Sequence, residues 1–451
     1  MRVHLVAIGG AGMSVIAELL LAGGAQVSGS DRQDSPVLRR LAGLGATVHV
    51  GHDAEHVRGA DRVVVSSAIG ADNVEVRAAR AAGVEVVHRS VALAQAAAGK
   101  DFVAVAGAHG KTTTSAMLAV ALDHAGLDPS FAIGGAVLAL GSGARAGRGS
   151  AFVAEADESD GSFLNYTPRV AVVTNIEPDH LDHYGTAAAF EAAFDAFAER
   201  VVGGGVVITC ADDAGAARFA ARLGSSGIRV LTYGTGATAD VRLERVRLDA
   251  GGAGARLVGP GGEVQLELAV PGEHNLRNAA AAWCAGVELG VPGETMAAGL
   301  ASFTGTARRF EHRGSAAGVR VVDDYAHNPT KVAAAIRTGR GAAGEGRLLV
   351  LFQPHLFSRT RMFATEFAEA LGTADEVVLT AIYPAREEPV PGVTSALVAD
   401  RVPQARYVPD HRRAAHAVAD MAREGDLVMT IGAGDVTEMA DVILQRLRER
   451  S

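Results

Sequence analysis

The stretch VAGAHGKTTT, residues 105–114, begins as an apolar strand and ends as a phosphate-binding loop. Its second half matches the end of the Walker A pattern GxxxxGK[ST], although a valine stands where that pattern has its first glycine. Gly107 and Gly110 allow the backbone to wrap around phosphate oxygens, because glycine tolerates conformations closed to other residues. Lys111 can reach the β and γ phosphates, and the Thr112 hydroxyl can bind Mg²⁺. We therefore expect a bound nucleoside triphosphate at this loop.

The order of apolar runs around the loop indicates the fold class. Short runs rich in Val and Ile alternate with Ala- and Leu-rich runs along most of the chain, which is typical of parallel sheets covered by helices. We expect an α/β protein of three domains with bounds 1–98, 99–309 and 310–451. Residues 240–271 show short alternating strands with Gly-rich turns, which predicts a small antiparallel part in the central domain.

Composition excludes several classes of partner and site. The 451 residues carry 42 Lys and Arg against 51 Asp and Glu, a formal net charge of −9, without a long basic run. We therefore expect neither a nucleic acid nor a membrane surface as partner. Cys210 and Cys284 stand far apart without metal-binding neighbours, which argues against a disulfide framework and a zinc site and favours a reducing cytoplasm. We expect no transmembrane span, because no segment offers about twenty uninterrupted apolar residues.

A second glycine turn lies in IGGAGMS, residues 8–14. Gly9, Gly10 and Gly12 stand between a predicted strand and a predicted helix, so that backbone N–H groups and the helix dipole can face a pyrophosphate. The turn is not a full GxGxxG. Asp31 follows the next strand, where an acidic residue often accepts ribose hydroxyls. Two interpretations stay open, a nucleotide diphosphate site or a tight turn with an N-capping aspartate.

Acidic residues and a histidine follow two more predicted strands. The segments EADESD, 155–160, and NIEPDH, 175–180, stand at strand C-termini, where a hard divalent cation can find oxygen ligands. Glu155 is the expected first ligand, and His180 could coordinate a second ion or orient a phosphate. The remaining acidic residues of the first segment are interpreted as a solvated turn or helix cap, namely Asp157, Glu158 and Asp160.

The segment HNLRN, residues 274–278, heads an Ala-rich helix and places two amides on one helix face. Asn275 and Asn278 are three residues apart, the spacing at which side chains become neighbours. Amides both donate and accept hydrogen bonds, so the pair could match an adenine edge. Helix capping is the alternative interpretation.

Together these motifs resemble the Mur ligases, which use ATP to add amino acids to peptidoglycan precursors. The resemblance runs in order along essentially the whole chain, through residues 8–14, 106–118, 155–164, 172–185, 274–282, 307–311, 323–330 and 352–360. It implies an N-terminal Rossmann-like domain for a UDP-sugar and a central P-loop ATPase-type domain with a mostly parallel sheet. It also implies a C-terminal Rossmann-like domain that presents the amino acid.

The resemblance implies roles for individual residues. ATP contacts are implied for Gly107, Ala108, His109, Gly110, Lys111, Thr112, Thr113, Asn275, Asn278, Arg309 and Asp324. UDP-sugar contacts are implied for Gly10, Gly12, Met13, Ser30, Asp31 and Ser67, and amino-acid contacts for Tyr325, His327 and Arg359. The implied Mg²⁺ ligands are Thr112, Glu155 and His180. The implied catalytic residues are Lys111, Glu155, His180, Arg309 and His327, the last either as a base for the amine or as a phosphate contact.

Within the family, the chain resembles the branch that joins L-alanine to UDP-N-acetylmuramate through an acyl phosphate. Relatives that add later peptide residues carry a carbamylated lysine where this chain has Phe194. The chain also departs from common family motifs at Ala108 and at Asn328 with Lys331. Leu356 replaces an arginine that the family implies as a clamp on the amino-acid carboxylate. Selectivity for L-alanine over glycine or L-serine therefore stays open.

Three rival functions also fit parts of the sequence. The first is a relative acting on another acyl chain, such as a ligase for recycled tripeptide or a folylpolyglutamate synthetase. The second is a nucleotide-binding regulatory module without catalysis. The presence of all the implied catalytic residues at the phosphate loop argues against it, namely Lys111, Thr112, Glu155 and His180. The third is an NAD-dependent dehydrogenase, which rests only on the first glycine turn. We expect a cytoplasmic enzyme that acts as a monomer or homodimer.

Overall fold

The computed structural model describes residues 1–178, 181–249, 252–385 and 387–450. The chain forms two compact units. One consists of Met1–Arg247 and Ala253–Thr304, and the other of Gly305–Ser451 with the short stretch Leu248–Gly252. In the described part of the chain, no helix has both the length and the apolar character needed to cross a membrane.

The first sheet of the larger unit is a five-stranded parallel sheet with the order β3-β2-β1-β4-β5. Its strands are β1 Arg2–Val6, β2 Gln26–Asp31, β3 Thr47–Val50, β4 Arg62–Val65 and β5 Glu85–His88. Its helices are α1 Ala11–Ala22, α2 Pro36–Gly43, α3 Val74–Ala81 and α4 Arg89–Ala96. The strand order reverses direction at β1, so the turn after β1 opens into the crevice where ligands of such sheets bind.

The second sheet of this unit has ten strands in the order β15-β14-β13-β12-β11-β10-β6-β9-β7-β8. The strands are β6 Asp101–Ala106, β7 Ser130–Val137, β8 Ser142–Arg145, β9 Ala151–Glu155, β10 Val170–Val173, β11 Val206–Cys210, β12 Val230–Gly234, β13 Val241–Asp249, β14 Gly252–Gly259 and β15 Gly262–Leu268. The helices are α5 Lys111–His124, α6 Leu181–Tyr184, α7 Ala187–Ala198, α8 Ala214–Leu223, α9 Glu273–Glu288 and α10 Gly293–Ala301. The middle strands are parallel, whereas β14 with β15 and β7 with β8 are antiparallel.

Strand β6 lies in the middle of this sheet because both of its faces are apolar. Val103 and Val105 point to one core, formed with α5, α9 and α10, while Ala104 and Ala106 point to another, rich in phenylalanine. A continuous apolar run is what a parallel strand covered on both sides requires. The loop that follows β6 is therefore anchored to a strand that is buried on both faces.

The smaller unit contains a six-stranded sheet with the order β16-β17-β21-β18-β19-β20, in which only the β16–β17 pair among these strands is antiparallel. The strands are β16 Glu311–Ala316, β17 Val319–Asp324, β18 Leu348–Phe352, β19 Glu376–Leu379, β20 Ala405–Tyr407 and β21 Leu427–Ile431. The helices are α11 Pro329–Ala343, α12 Phe357–Met362, α13 Ala364–Leu371, α14 Ala396–Ala399, α15 His411–Met421 and α16 Met439–Glu449.

The predicted α/β class is confirmed, with three mostly parallel sheets and an antiparallel part within residues 240–271. The hairpin of β7 and β8 was not predicted, because its Gly-rich sequence lacks the alternation typical of strands. The domain bounds of 1–98, 99–309 and 310–451 stay predictions.

Candidate active site

The phosphate loop connects β6 to α5 through two glycines in left-handed conformations. Gly107 has a φ of +126° and Gly110 a φ of +83°, values that residues with a side chain rarely adopt. Space is equally restricted, since a Cβ on Gly110 would lie 2.6 Å from Asn278 Oδ1 and one on Gly107 would collide with Thr174 Oγ1. Both glycines are thus required by conformation and by packing.

The neighbouring strand β10 fixes the shape of this loop. The amide of Asn175 brackets His109, with Oδ1 accepting from the His109 N–H at 2.9 Å and Nδ2 donating to the His109 carbonyl at 2.9 Å. Thr174 Oγ1 also donates to the His109 carbonyl at 2.5 Å, and Ala108 is buried. The backbone from Gly107 to Gly110 is therefore held in place by protein contacts, as a preformed phosphate cradle requires.

Lys111 begins α5 and is held by three hydrogen bonds. Its Nζ donates to the Gly107 carbonyl at 2.7 Å and to Glu158 Oε1 and Oε2 at 2.8 and 2.9 Å. Burial opposes the positive charge, but Glu158 and Asp157 outweigh it and keep the pKa of Lys111 above its ordinary value. The ammonium group is thus charged and aimed along the loop.

The interpretation of Glu158 as part of a solvated acidic turn is wrong. Its side chain is 1% exposed and forms an ion pair with Lys111. Asp157 and Asp160 fit the turn interpretation better, since they accept the backbone N–H groups of Ser159 and Ser162 at 3.1 and 3.0 Å. The pairing of Glu158 with Lys111 joins residues 47 positions apart, so spacing within the acidic segment gave no signal for it.

Thr112 and Glu155 meet beside the loop, as the sequence implied. Thr112 Oγ1 donates to Glu155 Oε2 at 3.1 Å, and Glu155 Oε1 accepts from the Gly134 N–H at 2.6 Å. Among the described residues no group of three or more His, Cys, Asp or Glu is arranged to hold a metal ion. His180 and Asp179 lie outside the described residues. The oxygen pair of Thr112 and Glu155 suits Mg²⁺, which usually takes one or two protein ligands and completes its shell with phosphates and water.

The two amides of α9 have different surroundings. Asn278 is 8% exposed and its Oδ1 lies against Gly110, so it borders the phosphate loop. Asn275 Nδ2 donates to the Pro271 carbonyl at 2.7 Å at the start of the helix. Asn275 thus also serves the local structure of the helix N-terminus, and the adenine contact of both amides stays a prediction.

Asp31 at the end of β2 holds the N-terminal glycine turn through a hydrogen bond. Asp31 Oδ2 accepts from the Gly9 N–H at 2.9 Å and Oδ1 accepts from the Arg32 N–H at 2.8 Å. Gly10 is the N-cap of α1, and Met13 is buried in the first turn of that helix. Asp31 therefore shapes the turn, and any contact with a ribose would add to this role.

Arg89 was not singled out from the sequence, yet it lies at this turn. A Cβ on Gly12 would collide with Arg89 Nη1, and Arg89 Nη2 donates to Asp157 Oδ2 at 2.7 Å. Burial alone would raise the pKa of Asp157, but Lys111 and Arg89 lower it to about 2. Arg89 thus brings a positive charge to a glycine turn that has none of its own, and connects that turn to the acidic segment beside Lys111.

A buried carboxylate organises the end of β2. Glu75 is fully buried and accepts hydrogen bonds from Ser30 Oγ at 2.6 Å, from His52 Nδ1 at 2.9 Å and from His56 Nδ1 at 2.8 Å. Burial alone would raise the pKa of Glu75, but His4, whose Nε2 lies 3.6 Å from Glu75 Oε1, and the hydrogen bonds from Ser30, His56 and His52 keep it well below its ordinary value. The Ser30 hydroxyl therefore holds the local fold, and its contact with a UDP-sugar stays a prediction.

Ser67 also connects the two sheets of the larger unit. Its Oγ donates to Asp160 Oδ2 and lies 3.0 Å from His88 Nε2. His88 in turn lies 3.7 Å from the same carboxylate oxygen. Ser67 and Arg89 thus contact the acidic segment from the first sheet, at Asp160 and Asp157.

In the smaller unit, Asp324, Arg309 and Tyr325 lie close together. The carboxylate of Asp324 accepts the backbone N–H groups of Phe310 and Ala326 at 2.9 and 2.8 Å, and burial raises its pKa. The guanidinium of Arg309 lies 5.3 Å from the centre of the Tyr325 ring, a cation–π arrangement. Asp324 therefore shapes its own loop, and the ATP contacts of Arg309 and Asp324 stay predictions.

His327 is neutral, and its tautomer follows from its partner. Nδ1 lies 2.9 Å from the Tyr325 carbonyl, which can only accept, so Nδ1 carries the proton and Nε2 the lone pair. Burial lowers the pKa of His327 to about 3. Arg359 Nη1 donates to the His327 carbonyl at 3.4 Å, so two of the predicted amino-acid contacts lie together. Leu356 is 7% exposed with a φ of +71°.

Three family models together match most of the chain. Residues 2–101 match the model described as Mur ligase family, catalytic domain, residues 105–286 the Mur ligase middle domain, and residues 308–434 the Mur ligase, glutamate ligase domain. The chain belongs to the Mur ligase family. The resemblance implied by the sequence motifs is thereby confirmed.

Full-length relatives of this Mur ligase have a consistent name. The UDP-N-acetylmuramate–L-alanine ligase of Kineococcus radiotolerans is 57% identical, covering 100% of this chain and 97% of the relative, and that of Paenarthrobacter aurescens is 54% identical, covering 99% and 97%. The crystal structure of the UDP-N-acetylmuramate-alanine ligase of Thermotoga maritima has a TM-score of 0.84 at 27% identity, covering 100% of both chains.

Phe194, the position of the carbamylated lysine implied for other branches, lies in an aromatic core of this Mur ligase. It is fully buried, and its ring contacts Phe163, Phe190 and Phe219 with centroid separations of 5.5, 5.2 and 6.5 Å. A charged lysine derivative would have no space here without rearranging that core.

Proposed function

We propose that this Mur ligase joins L-alanine to the carboxylate of UDP-N-acetylmuramate and converts ATP to ADP and phosphate. The observation that carries the proposal is the placement of the two glycine turns, to which we assign the two nucleotides, in one compact unit. The ion pair of Arg89 with Asp157 connects the first turn to the acidic segment 155–160. Glu158 of the same segment pairs with Lys111 of the second turn. The names of the full-length relatives support the choice of substrates.

The first step is attack of the muramyl carboxylate on the γ-phosphorus of ATP. A carboxylate oxygen forms the new P–O bond, the bond to the β-phosphate oxygen breaks, and ADP leaves with an acyl phosphate remaining. Both reactants are anions, so charge neutralisation and alignment are the main catalytic tasks. Lys111 supplies a fixed positive charge at the loop, and Arg309 is the proposed second cation.

Thr112 and Glu155 are the proposed protein ligands of Mg²⁺. Their oxygens already lie within hydrogen-bond distance of each other, at the first turn of α5 and the end of β9. Mg²⁺ bound there would neutralise phosphate charge and align the triphosphate. His180 remains the proposed ligand for a second ion.

The second step is attack of the alanine amine on the acyl carbonyl, which forms the amide and expels phosphate. The amine must lose a proton to be nucleophilic, so a proton acceptor is needed near it. In the tautomer described, Nε2 of His327 carries a lone pair that can accept a hydrogen bond from the amine, but its pKa of about 3 makes it a weak base for removing a proton. A phosphate contact, the alternative role, would require a proton on Nε2. Water must be kept away, since acyl phosphates hydrolyse.

Recognition of the amino acid is assigned to Tyr325, His327 and Arg359. Arg359 is the proposed partner of the carboxylate, because Leu356 cannot provide the second positive charge. Glycine and L-serine therefore belong in the substrate test beside L-alanine. We place the reaction in the cytoplasm, with the enzyme as a monomer or homodimer.

The test is to incubate the protein with ATP, Mg²⁺ and UDP-N-acetylmuramate together with alanine, glycine or serine separately, and to weigh the products. We expect a mass increase of one alanine residue, stoichiometric release of phosphate, and slower reaction with the other two amino acids. Parallel incubations replace the amino acid with a tripeptide, or offer a folate with glutamate. Product in only the first would assign the chain to a ligase for a peptide amine, and product in only the second to a different acyl substrate. Release of no phosphate with any of these acids would contradict the proposal.

A further inference from the structure

The ammonium group of Lys111 already uses all three of its hydrogen-bond donors in contacts with the protein. It carries three protons, and its three hydrogen bonds go to the Gly107 carbonyl and to both oxygens of Glu158. A nucleotide phosphate can therefore bind Lys111 only by replacing at least one of these protein acceptors. The two acceptors on Glu158 are the ones that lie on a side chain.

Glu158 depends on Lys111 to compensate its buried negative charge. Its carboxylate is 1% exposed, and burial raises its pKa against the effect of the lysine. A buried carboxylate that loses its counter-ion is strongly destabilised. Complete transfer of Lys111 from Glu158 to a phosphate is therefore unfavourable, whereas sharing the ammonium between the two is not.

The backbone around Glu158 is anchored from three directions. The Tyr184 hydroxyl donates to the Glu158 carbonyl, Arg89 donates to Asp157, and Ser67 donates to Asp160. Glu158 thus belongs to a fixed segment, and a shift of Lys111 toward a phosphate would have to stretch the ion pair.

We propose that Glu158 is a positioning residue for Lys111 in the phosphoryl-transfer step. It competes with nucleotide phosphates for the ammonium group, which weakens nucleotide binding, and it keeps the ammonium aimed along the loop, which accelerates transfer. The two effects have opposite signs on affinity and rate. The rate effect rests on the proposed function, whereas the affinity effect requires only that ATP binds the loop.

The experiment compares Glu158→Gln and Glu158→Asp with the wild type. ATP and ADP affinity are measured by calorimetry without the sugar substrate, and kcat and KM by phosphate release. We expect Glu158→Gln to bind ATP about three- to tenfold more tightly, since removing a competing charge frees donors for phosphate. Its kcat should fall about ten- to hundredfold, because the lysine is no longer pre-organised. Glu158→Asp should lie between the two proteins on both scales.

Glu191→Gln is the matched control. It removes a carboxylate that pairs with Arg218 and Arg222 on the surface of the same unit, and it should leave affinity and rate unchanged. A structural defect would weaken ATP binding and lower kcat together, and this result in a variant with wild-type melting would overturn the proposal. So would unchanged affinity and rate in Glu158→Gln. Should wild-type protein bind ATP but turn over no substrate, the proposed function fails while the affinity comparison still decides the role of Glu158.

Discussion

The two glycine turns of the larger unit have the same local plan and different chemistry. Each follows a buried parallel strand and opens a helix, α1 after Gly10 and α5 after Gly110. Gly110 has a φ of +83°, whereas Gly10 has an ordinary φ of −62°. The second turn carries its own cation, Lys111, while the first relies on Arg89 from α4. The two turns thus share a strand–turn–helix plan but differ in backbone conformation and in the origin of their positive charge.

The difference follows from what each turn has to bind. A triphosphate that transfers a phosphoryl group needs a cation and metal ligands fixed at the reacting end, and we assign these roles to Lys111, Thr112 and Glu155. A diphosphate that only anchors a substrate needs backbone N–H groups and a single compensating charge. Arg89 and Asp157 connect the two turns, so that in the proposed function substrate anchoring and phosphoryl transfer would share a framework.

The largest effect is expected from Lys111→Ala. Removing the cation of the second turn should lower turnover by about a thousandfold or more, since charge stabilisation dominates phosphoryl transfer. Phosphate release measures the rate, and circular dichroism confirms the fold. Lys100→Ala is the control, because Lys100 donates only to the Gly147 and Gly149 carbonyls among the contacts described. If Lys111→Ala turned over as fast as the control, the loop would have no role in phosphoryl transfer.

Alanine substitutions in the two turns should differ in size. Gly110→Ala forces a side chain into a left-handed conformation against Asn278, and we expect ATP affinity to fall by at least about tenfold. Gly12→Ala meets only the end of the flexible Arg89 side chain, so the KM for the UDP-sugar should rise by less than about fivefold. Calorimetry and steady-state kinetics measure these values. Equal effects would contradict the structural contrast between the turns.

Arg89→Ala tests the borrowed cation of the first turn. The KM for UDP-N-acetylmuramate should rise by about tenfold, the range expected for loss of one charged hydrogen bond, with a much smaller change in the KM for ATP. Arg62→Ala, which breaks a pair with Glu85 in the same sheet, is the control. A rise in the KM for ATP alone would show that Arg89 serves the ATP loop and not the UDP-sugar turn.

The smallest effect concerns the pH dependence of stability. The pKa of Asp157 is about 2 in the folded protein, below the value of about 3.9 for an exposed aspartate. Its contribution to stability is therefore fully present above about pH 4 and is lost as the pH falls toward 2. Urea unfolding of Asp157→Asn should show a flatter loss of stability across this window than the wild type. Parallel losses would show that the charges of Lys111 and Arg89 beside Asp157 carry no such linkage.

Local patterns predicted the fold class and the strand, loop and helix around residues 105–114, because both depend on the order of apolar runs. The shared role of Thr112 and Glu155 was implied by the family resemblance and stays a prediction, although β6 and β9 do bring the two side chains together. Tertiary contacts were beyond such reasoning. Glu158 looked solvated among its acidic neighbours, and only the packing around Lys111 makes it buried. Arg89 follows β5 without any motif, and its role becomes visible only when α4 is placed beside Gly12.

The central claim is that phosphate is transferred to the muramyl carboxylate before the amine attacks. The direct test is a single turnover with UDP-N-acetylmuramate that carries ¹⁸O in its carboxylate, followed by mass analysis of the released phosphate. We predict one ¹⁸O atom in that phosphate. When the amine breaks the C–O bond of the acyl phosphate, the former carboxylate oxygen leaves with the phosphate. Unlabelled phosphate, or release of AMP and pyrophosphate in place of ADP, would contradict the account.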